Sequence, residues 1–160
     1  MMNHKDTFKE WNKFANSYIK PTGIAVDLNF KNFIYLQDGR MKRKVYLTRE
    51  IAEKNVRHFL NILNKNVYGN ASHRFNKKIN VFSVFEGGNN NKQLHIHMTM
   101  DVPEHIERDK FVSLVSELWI KTDFGNRNMC IQDIYEINGR HQYMLKKRTK
   151  VEDIQSSTFM

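Results

Sequence analysis

Two histidines, His95 and His97, lie two positions apart in a segment that alternates apolar and polar side chains, Leu94-His95-Ile96-His97-Met98-Thr99-Met100. As a β-strand, this segment directs its apolar side chains to one face and His95, His97 and Thr99 to the other. The two Cα atoms are then about 6–7 Å apart. Both imidazoles can therefore bind one metal ion, for which neutral imidazole is the commonest protein ligand. Two half-exposed histidines on a solvated sheet face are the alternative.

A carboxylate in the preceding strand is the candidate third ligand. Glu86 ends a predicted strand from about Ile79, and the turn Gly87-Gly88-Asn89-Asn90-Asn91 leads from it into the histidine strand. A hairpin places Glu86 across from the two histidines on the same face, which predicts a metal site of mixed nitrogen and oxygen donors. A strand-end glutamate that meets solvent is the alternative. Apolar residues two and four positions earlier share its face, so we expect that face to be partly covered by the last helix.

A tyrosine in a basic segment is the candidate nucleophile. Residues Gly139 to Arg148 read Gly-Arg-His-Gln-Tyr-Met-Leu-Lys-Lys-Arg and predict a helix that begins near Arg140. Residues three and four apart share a helix face, so Lys146 and Lys147 lie beside Tyr143. A phenol with a pKa of about 10 is a poor nucleophile at neutral pH, but a nearby ammonium favours the phenolate and can hold a phosphate. A packing tyrosine beside solvated charge is the alternative.

The elements that position these residues follow from the hydrophobic periodicity. Helices are predicted over Thr7 to Ile19, from a cap at Thr48 to Gly69, and from Pro103 onward; strands over Ile24 to Phe30, in a small hairpin around Asp38-Gly39, over Ile79 to Glu86, over the histidine segment, and within Met129 to Ile137. This order predicts an α+β fold, a ferredoxin-like or RRM-like two-layer sandwich. Its antiparallel central sheet has helices on one face and the catalytic helix near the other, which is left free for chemistry.

The composition indicates one compact domain. The chain has 160 residues, of which 40% are hydrophobic and two are proline, so we expect a single domain over residues 1–160. A single cysteine excludes an internal disulfide framework and fits a reducing compartment. No apolar signal-like segment and no membrane-length run is present, which predicts a cytoplasmic protein without membrane contact.

The charge points to a polyanionic partner. The formal net charge is +9 and the pI about 9.7, for which nucleic acid is the leading explanation. The candidates for phosphate contacts are Lys42, Arg43, Arg74, Arg140, Lys147 and Arg148. Such contacts supply affinity rather than sequence choice, and ordinary surface solubility is the alternative.

These motifs resemble those of the HUH-type single-strand DNA endonucleases that initiate rolling-circle replication. The His-hydrophobic-His triplet is His95-Ile96-His97, and the Tyr-x-x-Lys of a later helix is Tyr143-Met144-Leu145-Lys146. A first motif on the opening strand is similar to Ile24-Ala25-Val26-Asp27-Leu28-Asn29. The motifs stand in family order from about Gly23 to Lys147.

The resemblance implies a single-tyrosine nicking and joining enzyme. Mn²⁺ or Mg²⁺, held by His95, His97 and Glu86, polarises the scissile phosphate, and Tyr143 attacks it to form a 5′-phosphotyrosine and a free 3′-hydroxyl. Lys146 assists the nucleophile, with Lys147 as the alternative. The implied partner is single-stranded DNA at a replication origin, extended or as a hairpin. We expect a monomer, encoded by a bacterial plasmid, a phage or a virus.

Two absences narrow this prediction. The positions four residues from Tyr143 are Gly139 and Lys147, so the second tyrosine of the phage-type initiators is missing. No G-x-x-x-x-G-K-[ST] is present, so a separate host helicase is expected. The alternatives are a single-strand transposase or relaxase, a noncatalytic RRM-like module that binds single-stranded nucleic acid, and a two-His-one-carboxylate oxygenase, which the basic charge disfavours.

Overall fold

The computed structural model describes residues 4–88, 92–145 and 154–156. In chain order its elements are α1 (His4–Tyr18), β1 (Ile24–Phe30), β2 (Phe33–Asp38), β3 (Met41–Tyr46), α2 (Arg49–Tyr68), α3 (Ala71–Arg74), β4 (Val81–Glu86), β5 (His95–Met100), α4 (Arg108–Lys121), β6 (Gly125–Asp133), α5 (Ile137–Met144) and β7 (Ile154–Ser156). No helix within these ranges is long and apolar enough to cross a membrane.

The central sheet is antiparallel, with the strand order β6-β1-β5-β4-β7. Its first four strands are joined through α2, which leads from β1 to β4, and α4, which leads from β5 to β6. This is the βαββαβ connectivity of a ferredoxin-like sandwich, so the predicted fold class is confirmed.

The main core lies between α2, α4 and one face of the sheet. Alternation along β1 and β5 directs every second side chain, such as Val26 and Ile96, into it. Phe30, Phe59 and Trp119 are fully buried at its centre, and Trp119 meets the other two rings edge to face at centroid distances of 5.2 and 5.4 Å. Because the apolar side chains of β5 point into this core, His95 and His97 of the same strand point to the opposite face of the sheet.

The second face of the sheet is largely covered: the last helix, α5, packs on it as expected, and α1 adds a cover that corrects the expectation of a free face. Phe82 and Val84 of β4 are buried there against Ala15 of α1 and Met144 of α5. The amphipathic α1 covers this face because its own aromatic residues need a partner, and the Trp11 ring lies 6.3 Å from the Phe82 ring. The end of the face near β4's last residue remains partly open.

Several predicted boundaries shift in the structure. The Thr48 hydroxyl caps α2 as expected, accepting a hydrogen bond from the Ile51 N–H at 3.2 Å. The next long helix, α4, begins at Arg108 rather than at Pro103, since Pro103 first forms a turn closed by Ile106. The strand β6 begins four residues before Met129, at Gly125.

The last helix also begins earlier than Arg140. Helix α5 starts at Ile137 because the Glu136 carboxylate accepts hydrogen bonds from the N–H groups of Asn138 and Gly139. These are two of the donors that the first turn leaves without a helical partner. The Asn-Gly pair, a turn signal in the sequence, therefore lies inside the first turn of the helix.

Candidate metal centre

Glu86, His95 and His97 form one cluster at the partly open end of the second sheet face. Glu86 is directly opposite His95 in the pairing of β4 with β5. Glu86 Oε2 lies 3.1 Å from His97 Nε2 and 3.8 Å from His95 Nε2, and one ligand atom from each of the three residues falls within 4.8 Å of the others. The structure thus brings together the three residues that the sequence suggested as ligands.

Hydrogen bonds on the far side of each ring fix which nitrogen faces the cluster. His95 Nδ1 lies 3.0 Å from the Gln93 carbonyl oxygen, and His97 Nδ1 lies 2.7 Å from Asp27 Oδ1. Both oxygens can only accept, so each Nδ1 carries a proton and donates it. In the neutral rings, each Nε2 then presents its lone pair toward Glu86. Metal-binding histidines in proteins are oriented in this way, by a carbonyl or carboxylate oxygen that accepts from the other ring nitrogen.

The contact between His97 and Glu86 sets two acceptor atoms against each other. A neutral His97 that donates from Nδ1 has only a lone pair on Nε2, and that lone pair faces a carboxylate oxygen at 3.1 Å. Two acceptors repel at this distance unless a proton or a cation lies between them. Two imidazoles and one carboxylate make a donor set suited to a first-row divalent ion, so the residues fit a metal.

Asp27 is a site residue that sequence reasoning did not select. It lies on β1 directly opposite His97, and its carboxylate accepts hydrogen bonds from both His97 and Arg140. Burial acts to raise the pKa of Asp27, but these hydrogen bonds and the Arg140 charge outweigh it and hold the pKa below the usual range. In the sequence, the feature that indicates a role for Asp27 is its position as the one acidic residue of a largely apolar strand, since a buried acidic residue needs a partner.

Helix α5 presents two residues to the cluster from one face. Arg140 and Tyr143 are three residues apart, and the Arg140 guanidinium carbon lies 5.9 Å from the centre of the Tyr143 ring. The Arg140 side chain is only 13% exposed and is ion-paired with Asp27. The Tyr143 ring stands nearly perpendicular to the His97 ring at 5.7 Å between centroids, and Tyr143 is 45% exposed. The predicted nucleophile therefore lies beside the predicted metal ligands and is open to solvent.

A buried histidine holds α5 against the sheet. His141 is buried between Thr99, which shares the β5 face of His95 and His97, and Asn16 of α1. His141 Nδ1 donates to Asn16 Oδ1 at 2.7 Å, so its Nε2 accepts from the Thr99 hydroxyl at 2.8 Å. Burial, followed by the nearby Arg140 charge, lowers the pKa of His141 to about 4. The neutral ring thus connects the tyrosine helix to the strand that carries the histidines.

We expect this histidine to make the fold sensitive to acid. Between the usual pKa of about 6.5 and the folded value of about 4, the unfolded chain takes up a proton that the folded chain does not. The free energy of unfolding should therefore fall as the pH drops through this range, and His141 should account for up to about 3 kcal/mol of that loss. Urea unfolding at pH 7, 5 and 4 measures the loss. His141→Gln cannot titrate and should lose less; an identical pH dependence would contradict a neutral buried His141.

The remaining predicted residues are spread over the molecule. Lys42 and Arg43 are exposed on β3, whereas Arg74 is exposed at the end of α3, before β4 begins. The cluster lies at the other end of that strand, which Glu86 ends. Helix α5 ends at Met144, and Lys146, Lys147 and Arg148 lie outside the described residues. The position of Lys146 and Lys147 beside Tyr143 therefore stays a prediction.

Comparisons with known proteins identify no relative of this chain. The chain has no significant match among protein-family models, curated proteins or solved structures. The site must therefore be interpreted from its own residues.

Proposed function

We propose that the protein is a metal-dependent, sequence-specific endonuclease and ligase for single-stranded DNA that acts through a 5′-phosphotyrosine and initiates rolling-circle replication. The observation that carries the proposal is the juxtaposition of a Glu86–His95–His97 cluster with the Tyr143 ring, 5.7 Å from the ring of His97. A cluster of this kind beside a solvent-accessible phenol supports phosphoryl transfer to tyrosine. The net charge of +9 supports a polyanionic substrate.

The metal is proposed to be Mn²⁺ or Mg²⁺, held by Glu86, His95 and His97. When bound, a divalent ion supplies positive charge that polarises the scissile phosphate. Two imidazole donors make Mn²⁺ the better fit, because Mg²⁺ is bound mainly by oxygen. Asp27 and the Gln93 carbonyl keep the two rings oriented, so the ligand atoms need little rearrangement on binding.

The reaction proposed for Tyr143 conserves the phosphodiester bond. The Tyr143 phenolic oxygen forms a bond to phosphorus as the bond from phosphorus to the 3′ oxygen breaks. The phenol loses one proton and the departing 3′ oxygen gains one, so the exchange is neutral overall. The reverse attack by a 3′-hydroxyl rejoins the strand and releases the tyrosine. No water molecule is consumed.

Two basic residues are proposed to act on the phosphate. Arg140 lies beside both Asp27 and Tyr143, where its guanidinium can add charge stabilisation to the phosphate while it stays anchored by the carboxylate. Lys146 is proposed to favour the phenolate, as a group that assists the nucleophile. Lys147 and Arg148 are proposed to contact the DNA backbone.

The rival of a noncatalytic RRM-like module has less support. Such modules stack bases on aromatic residues exposed on the open face of the sheet. Here Phe82, on that face, is fully buried beneath α1. The residues that reach the open end of the face are ligating and acidic groups. They suit a cation, and a phosphate bound through that cation, better than a base.

A covalent adduct tests this proposal. Random-sequence single-stranded DNA labelled at its 3′ end should become attached to the protein in Mn²⁺, because a 5′-phosphotyrosine retains the downstream fragment. DNA labelled at its 5′ end should instead yield free fragments that end in a 3′-hydroxyl. EDTA should abolish both signals. Both are measured on a denaturing gel; cleaved DNA without any adduct would indicate a hydrolytic nuclease and contradict the proposal.

A further inference from the structure

The hairpin of β2 and β3 exposes an aromatic and basic face. In its register, Phe33 pairs with Tyr46, and Tyr35 pairs with Lys44. Lys42 lies two residues from Lys44, so these five side chains lie on one face of the hairpin, which we call the hairpin face. Side chains on the opposite face, such as those of Ile34 and Val45, pack against the main core.

This face is unusually aromatic for a surface. Tyr35 and Tyr46 are 60% and 61% exposed, and Phe33 is 39% exposed. The Phe33 ring lies 5.7 Å from the Tyr35 ring and 6.0 Å from the Tyr46 ring. A contiguous exposed group of large rings on a small protein marks an interaction surface rather than ordinary solvent-facing residues.

The chemistry of the hairpin selects the partner. The Lys44 ammonium lies 3.8 Å from the centre of the Phe33 ring and 4.7 Å from that of the Tyr46 ring. The hairpin carries one acidic residue, Asp38, against four basic ones, which are Arg40, Lys42, Arg43 and Lys44. Rings that accept stacked bases, interleaved with cations that meet phosphates, are the combination that binds single-stranded nucleic acid.

The hairpin also leaves the sheet next to the candidate metal centre. In the central sheet, His95 is opposite Asn29 of β1 on one side and Glu86 of β4 on the other. Phe33 follows Asn29 by four residues, so the chain places it within about 14 Å of that position. A single strand bound at the metal centre can therefore continue onto the hairpin face within a few nucleotides.

We propose that the hairpin face binds single-stranded DNA by stacking its bases on Tyr35 and Tyr46 and pairing its phosphates with the hairpin lysines. We infer the DNA binding from the exposed aromatic and basic residues of the hairpin face. That the bound strand lies beside a scissile phosphate rests on the proposed function. In this proposal the hairpin provides much of the affinity for DNA, and the residues of the metal centre carry out the cleavage.

Fluorescence anisotropy with a 15-nucleotide dT strand in EDTA tests this binding without cleavage. Tyr35→Ala and Tyr46→Ala should each raise the Kd about tenfold, a typical loss for one stacked base, and the double variant more. Tyr35→Phe retains the ring and should bind as the wild type does. Phe75→Ala is the matched control, because Phe75 is 79% exposed but follows α3, with the 20-residue helix α2 between it and the hairpin in the chain.

Three results would overturn the proposal. The first is a double variant with wild-type affinity for the dT strand, and the second is an equal loss in Phe75→Ala. The third is that anionic phosphatidylserine vesicles, and not the dT strand, respond to Tyr35→Ala and Tyr46→Ala. The adduct assay is separate from all three. If DNA binding depends on Tyr35 and Tyr46 but no adduct forms, the hairpin proposal stands and the nicking function is rejected. If an adduct forms but DNA binding does not depend on these tyrosines, the nicking function stands and the hairpin proposal is rejected.

Discussion

Replacing Tyr143 by phenylalanine should abolish the covalent DNA adduct and leave the folded protein intact. The substitution removes the phenolic oxygen that we propose attacks phosphorus, so adduct formation should fall by a factor on the order of 10⁴ or more. The ring and its contact with His97 remain, and the site is 45% exposed, so we expect a near-wild-type melting temperature. Denaturing gels with 3′-labelled DNA measure the adduct, and anisotropy in EDTA confirms that DNA binding persists.

Tyr135→Phe is the matched control for that experiment. Tyr135 lies just before α5 and is 88% exposed, so it is as accessible to DNA as Tyr143 but does not contact His97 within the described structure. The Tyr135→Phe protein should form the adduct at the wild-type rate. An adduct that survives Tyr143→Phe and disappears in Tyr135→Phe would assign the nucleophile to Tyr135 and reject the geometry proposed for α5.

The local parts of the site could be predicted from the sequence. Alternation across His95 and His97 fixes which face they share, and a short glycine-rich connection from Glu86 leaves a hairpin as the simplest pairing. Both inferences need only contacts between residues close in the chain. That is why the sequence suggested the three clustered residues correctly as neighbours.

The long-range parts could not be predicted. Asp27 meets His97 across 70 residues of chain, and only the pairing of β1 with β5 reveals that contact. His141 likewise depends on α1 and β5 packing around it at the same time. Hydrophobic patterns specify which face of an element is buried, but they do not specify which polar residues of distant elements meet.

Turn chemistry explains the misplaced start of α5. Asn138-Gly139 is a strong turn signal by itself. The Glu136 carboxylate overrides it by accepting the N–H groups of both residues, and the Asn138 side chain accepts hydrogen bonds from Asn12 and Asn16 of α1. The cap and the contacts with α1 together extend the helix toward its N-terminus. Tyr143 lies in the last turn because the helix ends at Met144.

Replacing His97 by alanine should remove most of the metal affinity and, with it, DNA cleavage. His97 Nε2 is the candidate ligand atom nearest to Glu86, and its loss should weaken Mn²⁺ binding by at least about 100-fold. The His97 side chain is 7% exposed and lies between two carboxylates, so its removal also places like charges near each other and lowers stability.

His95→Ala keeps this experiment interpretable, because the His95 side chain is 27% exposed and makes no contact with Asp27 within the described structure. Titration calorimetry with Mn²⁺ should give a higher Kd for both histidine variants. Asp27→Asn should give an intermediate loss, about 10- to 100-fold, because its amide oxygen can still accept from His97 Nδ1 but lacks the charge that strengthens this hydrogen bond. His73→Ala, an exposed histidine on α3, is the control and should bind as the wild type does. A folded His95→Ala or His97→Ala protein with wild-type Mn²⁺ affinity, or one that cleaves DNA at full rate in EDTA, would exclude these histidines as ligands and leave Tyr143 to act without a metal.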